Sequence, residues 1–246
     1  MEEISKEKKA NKEFRRLVSE RKPGLLFISE TKVVDSKCSR WKEILGYEGC
    51  FFVNCQGKSG GLCLLWRQPF TVSIKSYTVG HIDCIVVENE KVWRFTGFYG
   101  NPDTNQRKFS WELLRRLHRN QELNALPWLV GGDFNEICQE CEKVGGRSRA
   151  RAQMVAFCDV LEECELRDIM CGGDFFTWVG KRSQTEIIFE KLDRFVCTEE
   201  WRQLYPVARA TSLEFYGSDH RPLEIIIGPV HSRHGQLPYQ RKKRLI

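Results

Sequence analysis

A chain of 246 residues with 41% hydrophobic and 29% charged residues can bury a substantial core and has the make-up of an ordinary globular protein, which excludes the fibrous and intrinsically disordered classes. No run approaches the ~18 apolar residues of a bilayer-spanning helix. The charged start Met1-Glu2-Glu3-Ile4-Ser5-Lys6-Glu7 lacks the apolar centre of a signal peptide, so an intracellular protein with no membrane partner is expected. Of the net charge of +6, five positive charges (Arg233, Arg241, Lys242, Lys243 and Arg244) fall within the last sixteen residues, which hold no acid. The remainder is nearly neutral, and residues 231–246 read as a basic, disordered tail able to touch phosphates or to act as a nuclear localisation signal.

Phe14, Leu17 and Val18 give residues 1–22 a modest apolar face, which predicts a helix ending near Arg21, stopped by Pro23-Gly24. Leu25 to Ile28 reads as a buried strand that ends in Ser29-Glu30-Thr31-Lys32. A short helix over Trp41–Leu45 is followed by strands at 47–54, 60–66 and 70–77. Residues 82–88 and 91–98 form a predicted hairpin across Asn89-Glu90. Phe109, Leu113, Leu114 and Leu117 recur at helical spacing, so 105–119 is a helix.

Trp128-Leu129-Val130 is a short apolar strand, and Gly131-Gly132 then reads as a tight turn that leaves Asp133 and Asn135 on the loop beyond it. A polar loop over 138–149 precedes a second amphipathic helix marked by Met154, Phe157, Cys158 and Leu161. Phe175 to Trp178 is strand-like, as are 187–189 and 192–196, and a short helix surrounds Trp201. Late strands over 208–213 and 223–227 flank Gly217-Ser218-Asp219-His220. With no internal repeat, the pattern predicts an α+β or layered α/β domain of two packed sheets covered by helices.

Eleven cysteines are scattered, several of them in apolar strand-like runs (Cys63, Cys84, Cys197), and read as reduced, mostly buried thiols. Cys138 and Cys141 make a single C-x-x-C without a second pair at zinc-finger spacing, and His231 and His234 lie in the tail, so zinc is the minority reading.

The chemistry concentrates where polar stretches follow apolar runs: Glu30, Asp133, Asn135, Asp193, Asp219 and His220. Oxygen ligands with few thiolates or imidazoles suit a hard cation such as Mg²⁺ or Mn²⁺, held by one or two carboxylates with water and substrate phosphate completing its shell. A histidine oriented by one Asp can stabilise a phosphoryl oxygen while another Asp draws a proton from the attacking water. Together these parts suit hydrolysis of a phosphomonoester or phosphodiester.

In the order Ser29-Glu30-Thr31-Lys32, Gly132-Asp133-Phe134-Asn135, Leu192-Asp193-Arg194-Phe195 and Ser218-Asp219-His220-Arg221-Pro222-Leu223, the chain resembles the endonuclease/exonuclease/phosphatase family, which includes apurinic/apyrimidinic endonucleases and the endonucleases of non-LTR retrotransposons. Thr96-Gly97-Phe98-Tyr99-Gly100, the run from Pro127 to Asn135, and Phe176-Thr177-Trp178 resemble the wording of plant LINE-type elements. The resemblance runs from about Phe14 to Ile227 and implies one domain over 1–230 with an α/β fold, a four-layered α-β-β-α sandwich of two mixed sheets. It implies a Mg- or Mn-dependent DNA endonuclease of retroelement origin, with DNA as partner and no obligate protein partner.

Position by position, the resemblance makes Glu30 the principal metal ligand and Asp219 a supporting one. Asp133 positions or deprotonates the attacking water, with Asn135 orienting the same group. His220 stabilises the charge on the phosphate, Asp193 orients His220, and Tyr99 lies at the phosphate. Trp178 is a nucleic-acid contact, with a core tryptophan as the equal alternative. Family members usually begin with an Asn-bearing strand ahead of the first helix, and nothing in Met1–Asn11 resembles it. A sheet with one strand missing, an exposed edge and impaired activity is therefore expected. A phosphatase of the same fold acting on a small or lipid substrate, and an inactive remnant, are the alternative readings.

Overall fold

The computed structural model describes residues 2–31, 35–55, 60–181, 186–228 and 244–245. In chain order the elements are α1 (Glu2–Arg21), β1 (Leu25–Ile28), α2 (Asp35–Leu45), β2 (Gly49–Val53), β3 (Leu62–Trp66), β4 (Thr71–Thr78), β5 (His81–Glu88), β6 (Lys91–Tyr99), α3 (Arg107–His118) and β7 (Trp128–Asp133). They continue with a 3₁₀ turn (Glu140–Glu142), β8 (Lys143–Val144), α4 (Arg151–Glu163), β9 (Arg167–Asp168), β10 (Cys171–Gly172), β11 (Trp178–Lys181) and β12 (Ile187–Glu190). The last are β13 (Asp193–Cys197), α5 (Glu199–Leu204), β14 (Arg209–Ser212), β15 (Leu223–Ile226) and β16 (Arg244–Leu245).

One sheet runs β10-β14-β15-β16-β1-β3-β2, a second β4-β5-β6-β7-β13-β9, and a three-stranded sheet β11-β12-β8 stands beside them. The two large sheets pack face to face because their strands alternate. Leu25, Leu62, Leu64 and Ile225 of the first meet Ile82, Cys84, Phe95, Leu129 and Phe195 of the second in one core. The intervening residues Leu26, Cys63 and Leu65 point outward onto Val18 of α1 and Tyr47. On the far side Phe98, Trp128, Val130 and Val196 receive Leu113, Leu114 and Leu117 of α3 and Phe157, Val160 and Leu161 of α4. The order helix, sheet, sheet, helix is the expected α-β-β-α sandwich, and each fully buried leucine in it contributes about 2 kcal/mol.

The strand ends match the expectation at one turn and depart from it elsewhere. Asn89 and Glu90, both at positive φ, make the hairpin turn, with Glu88 opposite Lys91. Gly131 and Gly132 do not turn. β7 runs straight through them to Asp133, with Gly131 opposite Phe195 and Gly132 opposite Arg194. A Cβ on Gly131 would lie 2.5 Å from the Phe195 ring, and one on Gly132, at φ +143°, would lie 2.1 Å from the Phe98 carbonyl oxygen. The glycines are there for close approach rather than for reversal. Phe175 to Thr177 stays outside β11, which begins at Trp178.

β16 meets β1 at one pair only, Leu25 opposite Leu245, and is antiparallel to β15 at Ile225 and Ile226. From Leu26 to Ile28 the side of β1 away from β3 has no paired strand among the described residues, as expected of a sheet with one strand missing. The rest of the tail expected to be disordered, 231–243, lies outside the described residues, as do His231 and His234. Cys84, Cys164 and Cys197 are buried thiols. Cys138 accepts a hydrogen bond from Arg194, and Cys141 is exposed. Among the described residues no helix is long and apolar enough to cross a membrane.

Candidate active site

Three strand ends set the centre of the site. Asp133, the last residue of β7, stands directly opposite Asp193, the first of β13, and beside Tyr99, the last of β6. Partners in one row of a sheet share a face, and this row faces the first sheet. From that sheet Glu30 follows β1, in the left-handed region at φ +53°, while Ser218, Asp219 and His220 precede β15. The loop carrying His220 is strapped to β11: Trp178 and His220 form a β-bridge, and the Val179 N–H donates to the Asp219 carbonyl.

His220 Nδ1 lies 2.9 Å from Asp193 Oδ2, which turns Nε2 towards Asp133, 4.0 Å away. Asn135 wraps back on Asp133. Its N–H donates to one carboxylate oxygen at 2.7 Å and its side-chain amide to the other at 2.9 Å, while the same amide also reaches the Gly100 carbonyl. Asn135 thus holds both oxygens of the Asp133 carboxylate. The Tyr99 hydroxyl donates to Glu30. Trp178 is half-buried, its indole N–H donating to Asp219 Oδ2 at 3.1 Å and its ring facing His220. Trp178 also packs against the buried cluster of Ile137, Met154 and Leu192.

A cavity of about 790 Å³ opens between β1 and β15. Glu30, Asp133, Asp193, Asp219 and His220 line it, over a floor that includes Phe27, Phe95 and Phe195. Burial, and then the neighbouring Asp193, push the Asp133 carboxyl up to about 8, with His220 opposing. Burial works against the charged form of His220, but Asp193, by charge and hydrogen bond, followed by Asp133 and Asp219, outweighs it and raises the imidazole to about 9. Burial and the bond to Glu30 keep the Tyr99 hydroxyl protonated far above neutrality, so it remains a donor.

Ligand atoms of Asp133, Asp193 and His220 all fall within 4.8 Å of one another, close enough to share one cation. Glu30 and Asp219, the expected metal ligands, line the same cavity beside this group. Four carboxylates around one imidazole leave negative charge for a cation to balance, and their oxygens suit a hard divalent ion.

Two supporting residues were not singled out by the sequence. Arg194, buried behind Asp193, donates to Glu142 at 2.9 Å and to Asp168 at 3.2 Å and ties β13 to the 3₁₀ turn. Thr177 receives the Leu192 and Asp193 amides. An Arg next to the Leu-Asp motif was the only sequence signal for the first, and nothing marked the second beyond its place in Phe176-Thr177-Trp178.

A sandwich with carboxylates and a histidine gathered at the open end of two packed sheets has the form of a phosphoesterase. The family pattern of the endonuclease/exonuclease/phosphatase proteins matches residues 3–220, and the chain belongs to that family. No curated protein matches the chain. Among solved structures it is similar to the endonuclease domain of TRAS1, a telomere-specific non-LTR retrotransposon, at 18% identity and TM-score 0.65 over 89% of this chain and 92% of that one. It is also similar to the AP endonuclease LMAP from Leishmania major, at 16% identity and TM-score 0.68 over 88% and 81%. A third neighbour is D. rerio TDP2, solved with a single-strand DNA product, at 12% identity and TM-score 0.59 over 87% and 90%. At these identities the likeness is one of fold.

Proposed function

We propose that the chain is a divalent-metal-dependent phosphodiesterase acting on DNA, an endonuclease of retroelement origin. The observation that carries this reading is the row of Asp133 and Asp193 closed by His220, with Glu30 and Asp219 lining the same cavity. The retroelement wording of residues 96–100 and 127–135 supports the origin, and the basic run Arg241–Arg244 is consistent with work on DNA in the nucleus.

In this reading Asp193 holds Nδ1 of His220, leaving Nε2 to donate to a phosphoryl oxygen as negative charge grows there, an effect that is usually large in a buried site. Asp133, fixed by Asn135, takes the proton of the water that attacks phosphorus while the bond to the leaving oxygen breaks. Tyr99 keeps the Glu30 carboxylate in place. Mg²⁺ or Mn²⁺, held by carboxylates of the cavity, would supply charge neutralisation at the phosphate.

Purified protein should nick plasmid or abasic DNA with Mg²⁺ and lose activity with EDTA. Asp133→Ala and His220→Ala should each lower the rate by on the order of 100-fold or more. Unchanged cleavage in either variant would overturn the mechanism. Phosphate release from small or lipid phosphates without DNA cleavage would favour a phosphatase, and a folded protein with neither turnover nor Mg²⁺ binding would mark an inactive copy.

A further inference from the structure

We propose that Thr177 is a positioning residue for the Asp193–His220 pair, acting through its side-chain oxygen. That oxygen accepts the backbone N–H groups of two successive residues, Leu192 at 3.0 Å and Asp193 at 2.9 Å. The inference deepens the phosphoesterase reading given above. Thr177 is 2% exposed, so no bulk water stands ready to replace it. Leu192 lies between β12 and β13 and Asp193 opens β13, where the chain leaves the three-stranded sheet for the large one. They lie beyond the last β11–β12 pair, Trp178 opposite Glu190, and a side-chain acceptor takes the role a neighbouring strand would have.

The same residue is tied by separate atoms to both segments that carry the pair. Its N–H donates to the Glu190 carbonyl at 3.0 Å, and its own carbonyl accepts the Arg221 N–H at 2.7 Å, next to His220. Removing the hydroxyl leaves these main-chain bonds, and with them the strap on the His220 loop, in place. What changes is the peptide plane entering Asp193, which sets the direction of the carboxylate that meets Nδ1 of His220 at 2.9 Å. Two buried donors without an acceptor force that plane to move.

The test is made in the full chain with Thr177→Val, which keeps the branched shape without the acceptor, and Thr177→Ser, which keeps the hydroxyl. Without any substrate, the wild-type protein should show a slowly exchanging Nδ1–H proton of His220 by NMR, assigned by its loss in His220→Asn. Thr177→Val should weaken or lose this signal and Thr177→Ser should restore it. In the cleavage assay Thr177→Val should lower kcat by about tenfold or more with KM little changed, and Thr177→Ser should lie within about threefold of wild type.

An unaltered His220 signal in Thr177→Val, or a Thr177→Ser variant as impaired as Thr177→Val, would overturn the assignment. If Thr177→Val does not fold, hydrogen exchange in the wild type decides: slow exchange of both the Leu192 and Asp193 amides supports the assignment, and fast exchange of either refutes it. If the protein cleaves nothing, the NMR and exchange results still stand by themselves, so failure of the catalytic reading and failure of this one are distinguishable.

Discussion

At the scale of single residues, burial decides what a side chain can do. The carboxyl of Asp133 is raised by its burial and by the neighbouring Asp193. His81 shows the same physics used for stability. It is 2% exposed, with Nδ1 2.9 Å from the Thr78 hydroxyl and Nε2 3.0 Å from the Ser76 hydroxyl. Burial lowers it to about 4; Asp83 opposes this, and Arg116 and Arg94 add to it. Because the folded value lies below the ordinary 6.5, the unfolded chain binds the extra proton first. The stabilising contribution is fully present above about pH 6.5 and is lost as pH falls towards 4, up to about 3 kcal/mol in all. Melting curves from pH 7.5 to 4.5 should therefore fall less steeply for His81→Gln than for wild type; equal slopes would show that His81 is not the group involved.

At the scale of elements, local pattern and tertiary contact divide the work. The β5–β6 hairpin was legible because alternating apolar residues flank Asn89-Glu90, and the turn needs both residues at positive φ. Glu90 carries a Cβ where glycine fits better, so Glu90→Gly should stabilise the protein by about 0.5 kcal/mol, the relief of a left-handed residue offset by glycine's entropy. A denaturant midpoint lower than wild type would contradict this. Gly131-Gly132 was misread as a turn because a glycine pair looks the same whether it serves a reversal or a close approach. The Phe195 ring and the Phe98 carbonyl, which settle the matter, come from other strands. The two-residue strands β9 and β10 escaped notice since they are too short for any period and exist by pairing with β13 and β14. Thr177 escaped for a related reason: a threonine between two aromatics looks like strand, and its role depends on amides fifteen and sixteen residues further on.

At the scale of the whole molecule, β16 joins the two halves of the first sheet, one carrying Glu30 after β1 and the other Asp219 and His220 before β15. Leu245→Pro removes an amide from that strand. It should raise hydrogen exchange at Leu25, Ile225 and Ile226 while leaving β5 and β6 unchanged, and it should lower the melting temperature. Unaltered exchange in β1 and β15 would mean that their edges are held by other contacts. By itself the sequence determined the layered α/β class, most of the strands and helices, and the identity of the polar residues that gather at the cavity, because alternation, helical spacing and the residues following apolar runs are local properties. Only the tertiary structure decided that Asp133 stands opposite Asp193, that Asn135 serves Asp133, that Trp178 lies against Asp219, and that the C-terminal residues enter a sheet begun at Leu25. Register and burial are relations between distant segments, and they exist once the two sheets close on each other.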